Sequence, residues 1–453
     1  MNKSQKKNNH FYIKILVAFF IILMIFLIYI KIKNDNNKAV LVANKTDEIF
    51  NSIDKKSFVN VSKYIVYGTH FNIEGTVNIP KISGISIEKT DIIIKNSYGE
   101  ETSITSNISY ANNTLSFSTT DQINSGLNLE ELSINNYYIL LKVVFSNSDI
   151  KYYSLKNDTK YSDITYYSIT KNETNNKINI KFDNYNDTPF MGIDVSSAEQ
   201  LPDEVYDIVI DPGHGGSDIG STSQKYKEAD IVLDCAKILK EKLETSGLKV
   251  RLTRDGTEPS TVNTASNIYD SDGRVTIANE SNAKLLISLH MHNSNSKKGG
   301  VKVYAPSKCD LSLAKSFANN IISIANTTYS SQKTYKQLDG VYVQNFNNLD
   351  ILAFKSKAIN GNYEPYKITT DTPYLYMIRE VGGICTNAFV DGRNTAYSAN
   401  KYFDSNVGIE GYVIELGSMN VKNDLKNITS NMDSYMQGIC NSIKTFYNIN
   451  QNT

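Results

Sequence analysis

Two histidines and two glutamates stand where a parallel α/β sheet would bring them together. His214 follows a short apolar strand in the segment IVIDPGHGG, His290 ends the apolar run LLISLH, and Glu415 follows the run GYVI. The carboxyl ends of parallel strands open onto one crevice, and Glu228 lies near the start of the first predicted helix, on the same side. Two imidazoles and one carboxylate are the donors of a catalytic zinc site, and the second carboxylate would be its base.

Several short motifs occur in the order found in one enzyme family. They are DPGHGG at 211–216, Lys227-Glu228, TRDG at 253–256, SLH at 288–290 and IELG at 414–417. Through them, residues from about 205 to 448 resemble the zinc-dependent N-acetylmuramoyl-L-alanine amidase family of the amidase_3 type. The resemblance implies one Zn²⁺ ion bound by His214, Glu228 and His290, with Glu415 as general base. It also implies hydrolysis of the peptidoglycan amide between N-acetylmuramic acid and L-alanine.

Further candidate substrate contacts are Arg254, His292, Arg379 and Glu380. Arg379 resembles the arginine that precedes the last core strand in the family, although a long segment separates it from that strand here. His292 stands where the family commonly has asparagine, and Ser418 where it commonly has phenylalanine. Residues i and i+2 of a strand share a face, so His290 and His292 are both within reach of a metal. Strand position and the family motif favour His290 as the ligand.

Each site residue also has a plainer interpretation. His214 suits a turn, Glu228 suits a helix N-terminus, His290 suits a buried core position, and Glu415 suits a salt bridge with an arginine. For the whole chain, the alternatives are a catalytically silent wall-binding or assembly protein and a zinc-dependent peptidoglycan deacetylase. A deacetylase would normally show an H-x-x-x-H pair and a zincin protease H-E-x-x-H, and the sequence contains neither.

Composition narrows the function classes further. Lys+Arg and Asp+Glu are both 47, so no net field favours nucleic acid as a partner. The 4 cysteines include no C-x-x-C pair, which argues against a thiolate zinc site or a disulfide scaffold. The G-x-G-x-x-G frame that starts at Gly213 ends in Asp218, so a dinucleotide-binding loop is not indicated.

The periodicity around the motifs predicts an α/β catalytic domain at residues 196–453, with a mostly parallel sheet and helices on both faces. A strand at 206–210 is followed by a helix with one apolar face, formed by Ile231, Cys235, Ile238, Leu239 and Leu243. Gly247 ends this helix, and the next strand begins at once. Residues 327–408 form a long, Tyr-rich insertion, which we expect to act as a substrate wall or lid.

The N-terminal region predicts attachment to a membrane, with a cleaved signal peptide as the alternative, although no small-x-small cleavage site follows the apolar run directly. Residues 1–10 are basic and would be cytoplasmic, residues 11–31 form an apolar run of membrane-spanning length, and residues 32–57 form a tether. The lysines before this run outnumber those just after it, which predicts a single-pass protein with its catalytic domain outside the cell, on the cell-wall side.

Residues 58–195 predict a β-sandwich-like accessory domain, because short β runs alternate there with Asn, Gly and Ser turns. They contain no carboxylate pair or metal-spaced cluster, and the protein partner of this domain is left unidentified. We expect residues 196–453 to fold and act without it, since all proposed ligands lie in the later region.

Overall fold

The computed structural model describes residues 3–119, 125–169, 175–264, 268–293, 299–360, 368–382 and 405–449. Parts of the predicted insertion, residues 361–367 and 383–404, lie outside the described residues. The described chain forms a long N-terminal helix, a β-rich domain and an α/β domain. The latter two correspond to the accessory and catalytic domains expected from the sequence.

Helix α1 runs from Lys3 to Asn51. The predicted tether at 32–57 is therefore corrected: residues 32–51 continue the helix, because no glycine or proline interrupts it. Among the residues that the structure describes, no helix is long and apolar enough to cross a membrane. The predicted membrane anchor at 11–31 falls largely on side chains outside the described residues, those of residues 11–19, 21, 22 and 25.

The β-rich domain contains twelve strands and one 3-10 helix in its described residues. The strands are β1 Val59–Tyr67, β2 His70–Asn78, β3 Ile87–Asn96, β4 Glu101–Ile104, β5 Asn107–Ala111, β6 Thr114–Ser118, β7 Leu127–Asn128, β8 Asn135–Phe145, β9 Ile150–Asn157, β10 Ile164–Ile169, β11 Asn175–Tyr185 and β12 Thr188–Ala198, and the 3-10 helix is Leu129–Glu131. The end of α1 packs on this domain, with Phe50 against Tyr138 and Phe190.

Strand pairing in this domain is antiparallel apart from the parallel contact of β1 with β9. That contact joins the strands into one continuous path, β10-β11-β12-β8-β9-β1-β2-β6-β5. Apolar residues of both halves, among them Val61, Ile73, Ile139 and Ile193, share one buried core. The sheet therefore folds over itself, as expected for a sandwich-like domain, but the two halves are not separate sheets.

The α/β domain begins after residue 207. Its strands are β13 Ile208–Pro212, β14 Thr222–Ser223, β15 Tyr226–Lys227, β16 Val250–Leu252, β17 Leu285–His292, β18 Lys302–Tyr304, β19 Lys336–Leu338, β20 Val341–Tyr342, β21 Val407–Gly408 and β22 Glu410–Ser418. Its helices are α2 Glu228–Thr245, α3 Arg274–Glu280, α4 Ser312–Ala325, α5 Asn348–Asn360, α6 Tyr376–Arg379 and α7 Lys422–Phe446.

The main sheet of this domain has the order β16-β13-β17-β22-β18-β20-β19. Strands β16, β13, β17 and β22 are parallel, and β18 runs antiparallel to β22. Helices α2, α4 and α7 cover one face, and α3 and α6 cover the other. This confirms the predicted mostly parallel sheet with helices on both faces. Strands β19 and β20 extend the sheet, so part of the predicted insertion belongs to the core.

The two domains share a strand pairing. Strand β21 lies just before β22 and pairs in parallel with β1, with Val66 opposite Val407 and Tyr67 opposite Gly408. The Gly68 N–H donates to the Gly408 carbonyl at 2.9 Å. A two-residue strand makes few such bonds, but these connect the accessory domain directly to the strand that carries Glu415. We therefore expect residues 196–453 to be less stable alone than in the whole chain, in place of the independent folding expected from the sequence.

Buried charges line the catalytic side of this interface. Asp207, Lys284 and Glu410 lie at the amino ends of three neighbouring strands, and all three side chains are buried. The accessory domain covers them with Tyr166, whose ring centre lies 4.9 Å from Nζ of Lys284. Burial raises the pKa of Glu410 to about 7, although Tyr412 donates a hydrogen bond to it at 2.5 Å. The interface thus covers the edge of the sheet formed by the amino ends of these strands, opposite the edge where His290 and Glu415 lie.

Gly68→Ala should destabilise the protein more than Gly84→Ala. Both glycines have positive φ, +57° and +74°, so an alanine is strained at either position by about 1–2 kcal/mol. A Cβ at Gly68 would lie 3.0 Å from Cβ of Glu410 and 3.2 Å from the Lys284 carbonyl, whereas one at Gly84 meets nothing within 4 Å. Overpacking of this kind costs about 1–3 kcal/mol more. Equal losses in denaturant unfolding would show that the domain contact contributes nothing.

The Glu410 carboxyl should make the native state less stable as the pH rises. Its pKa is 4.5 in the unfolded reference and about 7 in the folded protein, so the folded chain binds more protons between these values. Stability therefore falls across this window, by on the order of 1–3 kcal/mol for this group. Glu410→Gln should flatten the dependence of unfolding free energy on pH between 4.5 and 7, whereas Glu241→Gln, on the exposed face of α2, should not. Parallel pH profiles for the three proteins would contradict the assignment.

Candidate metal and catalytic site

Three of the predicted site residues form one cluster. Ligand atoms of His214, Glu228 and His290 all lie within 4.8 Å of one another. Oε1 of Glu228 lies 3.0 Å from Nε2 of His214 and 3.3 Å from Nδ1 of His290. Two imidazole nitrogens and a carboxylate oxygen therefore converge on one point, an arrangement that suits a divalent metal ion.

Parallel strand pairing creates this convergence. Pro212, at the end of β13, pairs with Leu289, and the Gly213 N–H donates to the Leu289 carbonyl at 3.0 Å. A Cβ on Gly213 would lie only 2.2 Å from Cε1 of His290, so the loop needs glycine there to approach the second histidine. His214 itself has a φ of 62°, an uncommon value for histidine, which turns its ring toward the cluster.

The surrounding protein groups favour the ionised form of the Glu228 carboxyl. The backbone N–H groups of Ser221 and Met291 donate to its two carboxylate oxygens at 3.0 and 2.9 Å. Burial would raise the pKa of Glu228, but hydrogen bonds with His214 and His290 outweigh burial and lower it well below its usual range. A buried carboxylate with fixed orientation and a low pKa is a competent metal ligand.

Asp218 orients the first histidine. Its Oδ2 lies 2.9 Å from Nδ1 of His214, and its Oδ1 accepts from the Gly220 N–H at 3.1 Å. A carboxylate at Nδ1 favours the tautomer with the proton there, which leaves Nε2 available to the metal. Burial would lower the pKa of His214, but Glu228 and Asp218 outweigh burial and raise it.

Glu415 lies beside the cluster, on the neighbouring strand. It pairs with His290 across β17 and β22, and paired residues of adjacent strands share a face. Burial raises the pKa of Glu415, and the positive potential of His290 opposes that rise. Nδ1 of His292 lies 3.9 Å from Oε2 of Glu415, too long for a hydrogen bond. The structure therefore brings His290 into the cluster and leaves His292 next to Glu415.

Arg254 supports the His214 loop from below. Its guanidinium donates to the carbonyls of Pro212, Gly213 and Ala229 at 2.7–2.9 Å and to Oε1 of Glu258 at 2.9 Å. These contacts fix the loop that carries His214. The substrate contact at Arg254 stays a prediction.

Arg379 and Glu380 are also buried and contact each other. Nε of Arg379 donates to Oε1 of Glu380 at 2.8 Å, and its NH1 group donates to the carbonyls of Pro373 and Tyr374. The guanidinium also lies 5.3 Å from the ring centre of Phe346. These contacts stabilise the turn before α6, and the substrate contacts at Arg379 and Glu380 stay predictions.

The ion pair of Asp211 and Arg274, next to the loop that carries His214, was not predicted from the sequence. Asp211, which is fully buried, accepts hydrogen bonds from Arg274, Thr253 and Ser288 at 2.6–2.7 Å. The other amino group of Arg274 donates to the His214 carbonyl at 2.6 Å. An aspartate and a serine in otherwise apolar strands were visible signals, since buried polar residues require partners.

Comparisons with known proteins identify the family. The sequence model of the family described as N-acetylmuramoyl-L-alanine amidase matches residues 208–445, more than half of the 453 residues. The N-acetylmuramoyl-L-alanine amidase AmiA of Escherichia coli is 38% identical over 100 residues, which are 22% of this chain and 32% of that protein. The probable cell wall amidase LytH of Staphylococcus aureus is 47% identical over 62 residues, 13% of this chain and 21% of that protein.

Solved structures are similar at lower identity. The amidase AmiC2 of Nostoc punctiforme is 19% identical, with a TM-score of 0.34, and the match covers 54% of this chain and 98% of that one. The CwlD amidase of Clostridioides difficile, solved with the GerS lipoprotein, is 20% identical with a TM-score of 0.35, covering 54% and 100%. The chain spans about a third of the length of the first curated relative that it matches. By the extent of the sequence-model match, the chain belongs to the N-acetylmuramoyl-L-alanine amidase family (Amidase_3).

Proposed function

We propose that this protein is a zinc-dependent amidase that hydrolyses the bond between N-acetylmuramic acid and the L-alanine of the peptidoglycan stem peptide. The observation that carries the proposal is the cluster of His214, Glu228 and His290 beside Glu415. Three ligands and a separate carboxylate are the parts that metal-assisted amide hydrolysis requires. Family membership supports the choice of substrate.

Two of the three donor–donor distances suit a zinc ion. Donor atoms bound at about 2.0–2.1 Å in a tetrahedral site lie roughly 3.3 Å apart. The corresponding distances from Oε1 of Glu228 to the two imidazole nitrogens are 3.0 and 3.3 Å. When bound, zinc would polarise the amide carbonyl and lower the pKa of the attacking water toward ~7. Nitrogen and oxygen donors without thiolates agree with the absence of any C-x-x-C pair in the sequence.

Glu415 is suited to move the proton. Its carboxyl is buried beside the cluster, and burial raises its pKa above the usual value. A carboxylate of this kind can accept a proton from the attacking water and then give it to the leaving amine of L-alanine. Asp218 and Glu228 keep the His214 ring fixed during this exchange, so the base and the ligands retain their separation.

The cell-wall side of the membrane is the proposed place of action. Peptidoglycan lies outside the cell, and the relative from Staphylococcus aureus is described as a probable cell wall amidase. We propose that the two domains work on this substrate together, with residues 58–195 docked under the catalytic sheet. The alternatives weighed from the sequence, a silent wall protein and a deacetylase, predict different products from the same substrate.

Purified peptidoglycan treated with the full chain should acquire free L-alanine amino termini. Chelation should abolish the reaction, and added Zn²⁺ should restore it. Glu415→Gln should keep its metal but lose about 100- to 10,000-fold in kcat, because the proton acceptor is removed. Mass analysis of the new ends decides: free glucosamine amines would mean a deacetylase, and unchanged material a silent protein.

The metal content of two histidine variants tests the ligand assignment. His290→Ala should lose most bound zinc, because it removes one of the three converging donors. His292→Ala lacks this role and should retain zinc, with at most the ~10–100-fold loss in affinity or activity typical of an outer-shell residue. The two residues share a strand, so each variant controls for the other's effect on folding. A zinc-free His292→Ala beside a fully loaded His290→Ala would reverse the assignment.

A further inference from the structure

A lysine completes a row of functional side chains across the catalytic sheet. Lys302, the first residue of β18, pairs with Glu415 of β22, which in turn pairs with His290 of β17. Directly opposed residues of adjacent strands point to the same face, with Cβ atoms about 4.5–5.5 Å apart. Glu415 therefore lies between a metal-site histidine on one side and an ammonium group on the other.

This lysine is buried although it carries a charge. Its exposed fraction is 5%, and in the described part of the chain it forms neither an ion pair nor a hydrogen bond. Burial lowers the pKa of Lys302, and the nearby charge of Glu415 opposes that shift. The stem of Lys302 is packed, but its Nζ is not among the fully buried polar atoms that lack a partner. An ammonium group that keeps access at the reactive edge of the sheet, with no bonded partner among the described residues, points to a ligand.

The position of Lys302 is fixed by a clamp at the start of α7. Oδ2 of Asp424 accepts the Gly300 N–H at 2.7 Å and the Ser418 N–H at 2.8 Å. These amides lie two residues before Lys302 and three residues after Glu415. A Cβ on Gly299 would lie 2.1 Å from the same Asp424 oxygen, so the turn has a glycine where the clamp closes. The clamp joins both strands and keeps the lysine and the base at a constant separation.

We propose that Lys302 binds a negatively charged oxygen of the substrate next to the scissile amide. The inference rests on the proposed amidase function. Two sources offer this chemistry: the oxygen that gains charge as water attacks the carbonyl, and a carboxylate of the stem peptide. A fixed ammonium group beside Glu415 can bind either oxygen, because it attracts an anion that the Glu415 carboxylate alone would repel.

Lys302→Met tests the proposal, because methionine keeps the length and the apolar stem and removes the charge. Lys315→Met, on the exposed face of α4, is the matched control. Both full-length variants are assayed on two muropeptides that differ only in carrying the second stem residue as D-glutamate or as its neutral amide. Zinc content and unfolding midpoint, measured in parallel, show whether the site and the fold are intact.

The two sources give different kinetics. Loss of oxyanion stabilisation should lower kcat about 100- to 1,000-fold on both muropeptides, with little change in KM. Loss of a carboxylate contact should raise KM about 10- to 100-fold on the acid alone, with kcat preserved. Lys302→Arg should restore part of either loss. Kinetics of Lys302→Met that match those of Lys315→Met on both substrates would overturn the proposal while leaving the amidase function standing.

Binding without turnover separates this proposal from the function itself. In the Glu415→Gln background, calorimetry with the same two muropeptides should show weaker binding of the acid after Lys302→Met if the carboxylate is the ligand. Unchanged binding beside a lowered kcat assigns the transition-state oxygen instead. A wild-type chain that cleaves neither muropeptide refutes the amidase function. If, in addition, Lys302→Met leaves the binding of both unchanged, the anion site is refuted as well.

Discussion

The buried ion pair of Asp211 and Arg274 is the contact on which the catalytic edge depends. Asp211 is the next-to-last residue of β13, and its carboxylate joins that strand to Ser288 of β17 and to Thr253 after β16. Arg274 brings α3 into the same network and reaches the His214 carbonyl. Removal of one partner from such a pair typically costs about 3–5 kcal/mol, because the other charge stays buried. The ion pair therefore fixes the start of the loop that carries His214. A small displacement there would move His214 away from Glu228 and His290.

Strand β22 connects the two ends of the catalytic domain. At its amino end Glu410 lies under the accessory domain, where β21 pairs with β1. At its carboxyl end Glu415 lies beside His290, and the Asp424 clamp holds the backbone of Ser418. A closely packed interior transmits strain, because neighbouring residues must move together. The pairing of β21 with β1 therefore connects the accessory domain to the strand that carries Glu415, at the end away from the metal-site cluster.

The sequence was sufficient to predict which histidines and glutamates lie close together, because their positions follow from short-range rules. His290 and Glu415 each follow an apolar run, and strands of this kind in an α/β sheet end at one edge. Roles that depend on long-range contacts were not predictable in the same way. Arg254 and Arg379 are predicted substrate contacts, and the sequence did not predict that their guanidinium groups also donate to backbone carbonyls of neighbouring turns. An arginine side chain carries five N–H donors, and the sequence alone does not show which acceptors they contact.

The position of Lys302 likewise depends on a long-range contact, the register in which β18 pairs with β22. In the sequence Lys302 is one polar residue in the run GGVKVYA, and nothing local distinguishes it from a solvent-exposed lysine. The antiparallel pairing of β18 with β22 places it opposite Glu415, and a shift of one residue would place Val301 or Val303 there instead. Those valines lie on the other face, in the core formed with α4 and α7. The hydrophobic alternation that buries them is thus the reason that the ammonium group of Lys302 lies next to the carboxylate of Glu415.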